Sequence, residues 1–171
     1  MKVNKTILVS FVLLLAVTLL VPIAFAEKPI IQQVTGGGWF LAGNNCNPEE
    51  ISKKTFGFNA EDRGDGVFTG NVEYDEHNPW GDFDHGYPHV HGYEITSLFI
   101  SGTTATIEGN CWINGDKDTV RAFTVVVTDV GEPGTYDTFS ISIPSIPYSA
   151  SGQLGFPDNG GGNIQIHVPA P

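Results

Sequence analysis

The chain has 171 residues and carries 8 Lys plus Arg against 19 Asp plus Glu, a net charge of −11. That length bounds one ordinary domain, and the acidity excludes a general nucleic-acid binder, which needs a basic face. With 21 Gly and 11 Pro, the composition also excludes a coiled coil or a helical solenoid.

The first 26 residues read as a secretory signal peptide. Lys2 and Lys5 form a positive start, Ile7 to Leu20 is apolar and uncharged, Pro22 breaks the run, and Ala24-Phe25-Ala26 is a small-x-small cleavage site. Cleavage is expected between Ala26 and Glu27, leaving residues 27–171 as a single domain, secreted or held at the cell surface. Membrane contact is then confined to the uncleaved signal peptide.

Period-two alternation marks the strands. In chain order they are Ile31 to Thr35, Trp39 to Ala42, Lys54 to Ala60, Val67 to Tyr74, Tyr93 to Ile100, Thr104 to Ile113, Val120 to Asp129, Phe139 to Ile143 and Ile164 to Val168. Pro48 to Lys54 is a candidate single helical turn. Ser101-Gly102, Asn114-Gly115 and Gly131-Glu132-Pro133-Gly134 read as tight turns. Eight or nine short strands with such turns predict an all-β antiparallel sandwich or small jelly-roll-like barrel.

Cys46 and Cys111 are the only cysteines. In an exported chain they are expected to form a disulfide, closing a 64-residue intervening segment.

The stretch from Asp75 to His91 holds four of the five histidines. On a strand, His89 and His91 project to one side, a spacing that presents two imidazoles to Zn²⁺ or Cu²⁺. His77, His85, Asp82 or Asp84 could complete such a site. Ca²⁺ prefers carboxylates, and Asp129 with Glu132 and Asp137, Asp116 with Asp118, or Asp62 with Asp65 are candidate sets. Trp80, Tyr87 and Tyr93 are candidates for stacking a sugar ring. Asp82 and Asp84 offer the carboxylate pair that a small polysaccharide hydrolase would need. No nucleophile elbow, zinc helix or phosphate loop is present in the sequence.

Four stretches together resemble the post-COAP domain, a small exported β domain found at the ends of larger secreted proteins. They are Val34-Thr35-Gly36-Gly37-Gly38-Trp39, Phe56-Gly57-Phe58-Asn59-Ala60, Thr128 to Phe139 and Gly161-Gly162-Asn163-Ile164-Gln165-Ile166-His167. The resemblance implies an accessory or surface domain, the family having no established activity. The sequence therefore predicts an exported, non-catalytic structural or binding domain. Its alternatives are a transition-metal module built on the His-rich loop and a small polysaccharide-active hydrolase. The expected partners are a cell-surface polymer, or another copy through strand exchange by Glu27 to Val34.

Overall fold

The computed structural model describes residues 30–45, 48–77, 88–155 and 160–167. They form nine strands: β1 (Gln32–Ala42), β2 (Ser52–Asp62), β3 (Phe68–His77), β4 (His89–Ser101), β5 (Thr104–Ile113), β6 (Asp116–Thr128), β7 (Thr138–Ile143), β8 (Tyr148–Gln153) and β9 (Gly160–His167). All belong to one antiparallel sheet in the order β8-β7-β6-β5-β4-β3-β2-β1-β9, which nearly closes into a barrel. The all-β expectation holds. The two short segments expected before residue 43 are one continuous strand, and β8 had no counterpart in the sequence reading. Lys54 lies in β2, not in a helical turn.

Curling brings distant strands into contact. Phe139 on β7 stacks on Phe56 of β2 at 4.0 Å between ring centres and also meets Phe40, Phe58 and Tyr74. These rings fill the interior with Ile107, Phe123, Ile141 and Leu154, all buried. Burying each large apolar side chain contributes roughly 1.5–3 kcal/mol, so the interior, not the turns, holds the sheet curled. The turns still fix register. Asn114 and Gly115 both have positive φ, 52° and 77°, as the tight turn between β5 and β6 requires.

The seam closes in two ways. At one end, chain beyond β1 reaches β8: Asn44 bridges Ala150, and the Asn45 N–H donates to the Ser149 carbonyl at 3.0 Å. At the other end β9 presents a free edge, and the loop between β6 and β7 covers it with side chains. Asp137 Oδ2 accepts from the Ile164 N–H at 2.9 Å, and Asp129 Oδ2 accepts from the Ile166 N–H at 3.0 Å. Glu132 Oε1 accepts from Asn163 Nδ2 at 2.9 Å and Gln165 Nε2 at 2.8 Å. Gly134 has φ +74°, and a Cβ there would run into Asn163 and the Gly162 carbonyl. The loop can therefore lie this close only with glycine at that position.

These contacts correct the calcium expectation. Both oxygens of Asp129 and of Asp137 accept backbone N–H groups of β9 and of their own loop, and Glu132 Oε1 accepts the Asn163 and Gln165 side-chain amides. Asp116 accepts from the Asp118 N–H and from Arg121, and Asp62 accepts from the Gly64 N–H. Such local bonds are what Asp makes in turns.

The disulfide expectation is also overturned: Cys111 is a free thiol, buried inside the barrel. Cys46 lies outside the described residues. Desolvation pushes the Cys111 thiol up to about 11, although Arg121 pulls it down. It should resist alkylation at neutral pH in the folded chain and react fully in denaturant without any reductant. Failure to label Cys111 in denaturant without reductant, with labelling only once reductant is added, would restore the bridge.

Candidate ligand-binding face

The outer face of β3, β4 and β5 collects the polar and aromatic residues that the sequence singled out. His89 and His91 do project to one side of β4, and their partners come from β3. The register sets Asp75 opposite His89 and Glu73 opposite His91. His91 Nδ1 lies 2.5 Å from Glu73 Oε1, and His89 Nδ1 lies 3.7 Å from Asp75 Oδ1. His77 Nε2 sits 3.8 Å from Asp75 and is hydrogen-bonded to Thr55 Oγ1 at 2.8 Å.

The metal-binding expectation is therefore corrected. Among the described residues no group of three His, Cys, Asp or Glu could hold a metal ion. The strand pairing directs His89 and His91 at separate carboxylates rather than at one shared point. His85, Asp82 and Asp84, with Trp80 and Tyr87, lie outside the described residues.

Tyr93, a candidate for stacking a sugar ring, packs against Trp112, an aromatic residue absent from the sequence-based candidates. Its ring lies 4.2 Å from Trp112 with 23° between planes, and His91 lies 5.4 Å from the same indole at 18°. Register produces this cluster, with His91 opposite Trp112 and Tyr93 two residues along the same face, and a bulge follows it. The β4–β5 register shifts between Gly92 and Glu94, so Tyr93 is the extra residue. The bulge breaks the in-out alternation, leaving Glu94 exposed and Ile95 buried. Tyr93 and Glu94 thus share the outer surface with Trp112, and Glu94 accepts from Asn110 Nδ2 at 2.7 Å.

The same bulge opens a cleft. Pairing between β3 and β4 runs only from Asp75 and His89 to Val72 and Gly92. Beyond that point Phe68, Thr69 and Gly70 face Tyr93, Glu94 and Thr96 across an open groove. Backbone groups there have no ladder partner across the gap.

A second indole marks the other side of the surface. Trp39 on β1 lies over Gly161 of β9, with Lys53 Nζ 4.9 Å from its ring centre. Trp112 carries Lys117 Nζ at 5.0 Å in the same manner. β1 and β5 are four strands apart, about 19 Å along the sheet. Thr55, Asn59, Asn71, Glu73 and Asp75 project between them from β2 and β3. The resulting surface is a polar floor with two carboxylates, Glu73 and Asp75, between two aromatic posts.

No family model, curated protein or solved structure matches this chain.

Proposed function

We propose that the chain is an exported, non-catalytic binding domain that holds a polysaccharide of the cell surface against the outer face of β3–β5. The observation that carries this reading is the ring cluster of His91, Tyr93 and Trp112 beside the β3–β4 cleft. Aromatic faces receive the apolar faces of sugar rings, and flanking carboxylates and amides accept or donate to their hydroxyls. Glu73, Glu94, Asn110 and Thr96 supply such groups here. The signal-like start of the sequence supports export, and the resemblance to the post-COAP domain supports an accessory surface role.

The lysine over each indole contributes about 0.5–1 kcal/mol at an exposed site, and an arriving sugar ring has to better that contact. Binding is therefore of modest strength per ring and gains by engaging both posts along one chain.

Affinity electrophoresis through gels containing soluble polysaccharides, with co-sedimentation on cell-wall material, chitin and cellulose, tests the reading. The wild type should be retained by at least one polymer. Tyr93→Ala and Trp112→Ala should each weaken retention about tenfold, equivalent to ~1.4 kcal/mol, with the β signal in circular dichroism unchanged. Equal mobility of wild type and both variants on every polymer overturns the proposal.

A further inference from the structure

Inside the barrel, at the end where β1 hands over to β8, lies a polar cluster walled off from water. Lys54 and Glu76 are register partners on β2 and β3, and the side chains of both are fully buried. Lys54 Nζ donates to Glu76 Oε1 at 2.8 Å, to Ser52 Oγ at 2.7 Å and to the Ala42 carbonyl. Asn44, itself buried, donates Nδ2 to Glu76 Oε1 at 3.1 Å and to Oε2 at 3.2 Å. The amine and the carboxamide thus share one carboxylate oxygen. Ser52 Oγ donates to Oε1 at 2.7 Å, Tyr148 Oη donates to Oε2, and the Tyr74 hydroxyl lies 2.5 Å from that of Tyr148.

We propose that Lys54 and Asn44 are joined by a side-chain amide formed within the folded chain, with Glu76 moving the protons. In water this reaction does not proceed, because the amine is protonated and a carboxamide is a poor acyl donor. Burial changes both conditions. The dry environment raises the cost of the separated charges, and transient passage of the Lys54 proton to Glu76 along their 2.8 Å hydrogen bond, from the ionised resting pair, leaves a neutral nucleophile. The fold holds amine and carboxamide on the same carboxylate and removes the entropy cost of encounter.

The atoms balance without any cofactor. The Nζ lone pair attacks Cγ of Asn44, and the C=O pair moves onto Oδ1. Collapse of this tetrahedral intermediate re-forms C=O and breaks the Cγ–Nδ2 bond. Glu76 passes protons from Nζ to Nδ2, which leaves as ammonia. Overall, an ammonium and a carboxamide become a secondary amide and an ammonium ion. Serine and tyrosine hydroxyls on Glu76 fix its carboxylate between the two nitrogens, so Ser52 and Tyr148 are positioning residues.

The bond would pin the one stretch of β1-derived chain that closes the barrel on β8. Mass spectrometry of the full chain, denatured and digested, tests it. A branched peptide joining Asn44 to Lys54, about 17 Da lighter than its two parts through loss of ammonia, is expected, with no tryptic cleavage after Lys54. Lys54→Arg, Asn44→Ala and Glu76→Gln should each yield only linear peptides of full mass. Linear wild-type peptides carrying an intact Asn44 and Lys54 overturn the proposal, whatever the variants do. So does a branch between Lys54 and Glu76 about 18 Da lighter, since water would then be the leaving group.

Discussion

In an Asn44→Ala background, where Lys54 keeps its free amine, replacing Glu76 with alanine should destabilise the domain by about 3–5 kcal/mol. The loss arises from the residue left behind. Lys54 is wholly buried and would retain only Ser52 and backbone carbonyls around a positive charge. Replacing both partners by apolar residues, Lys54→Met with Glu76→Leu in the same background, should cost much less, because no charge is then stranded. Urea denaturation compares the variants directly. A loss below about 1 kcal/mol for Glu76→Ala would mean that the pair is not held dry in solution.

The same pair sets a pH dependence. Desolvation pushes the Glu76 carboxyl up, but hydrogen bonds from Lys54, Ser52 and Tyr148 outweigh it and hold the group below its ordinary 4.5. The unfolded chain therefore binds this proton at a higher pH than the folded chain does. The stabilisation is complete above about pH 5 and is lost as pH falls through the folded value. Denaturation midpoints of Asn44→Ala should stay flat on this account near neutrality and drop below about pH 4.5. The Glu76→Ala variant should lack that component of the drop.

Much of this was legible in the sequence. Alternation placed Phe56, Phe58 and Ala60 on one face, and the same parity extended backwards reaches Lys54. Val72 and Tyr74 extended forwards reach Glu76. The strand expected there stops at Tyr74 and leaves Glu76 in the following loop, because a charged residue rarely continues an inward face, and that Lys54 and Glu76 meet depends on the β2–β3 register. β8 was not legible because Tyr148–Gln153 has a single large apolar side chain. It is buried by what covers it, as Gly152 lies directly beneath the Phe40 ring. His89 and His91 were read correctly as sharing a side, whereas their carboxylate partners come from a neighbouring strand. The Tyr93–Trp112 stack depends on the β4–β5 register, which pairs His91 with Trp112, and register is not written in either strand alone. The acidic turn from Asp129 to Asp137 looked like a cation site because the sequence displays oxygens. It does not display the β9 amide groups that fill them.

That last substitution of N–H groups for a cation leads to the second large effect. Asp137→Ala should cost about 2–4 kcal/mol and loosen the seam specifically. Asp137 is fully buried, and its two oxygens divide their work: Oδ1 accepts from the Val130 N–H and Oδ2 from the Ile164 N–H, both at 2.9 Å. Its backbone carbonyl accepts from the Leu154 N–H at 2.8 Å, so the backbone position remains held when the side chain is removed. Alanine then strands one buried N–H on β9 and one part-buried N–H in the loop. Asp137→Asn should fall between wild type and alanine, because one of its two side-chain groups is a donor facing another donor. Glu132→Ala should leave stability almost unchanged, since that carboxylate is exposed. Hydrogen exchange locates the damage. In Asp137→Ala the Ile164 and Ile166 amides should exchange much faster, while amides of the β2–β3 ladder keep their protection relative to global stability. Loss spread evenly over all strands would show that Asp137 stabilises the barrel as a whole and does not latch its edge. Release of the β9 edge also gives a second copy of the chain a strand to pair with. Size-exclusion chromatography at rising concentration should therefore show Asp137→Ala shifting to larger species before the wild type does.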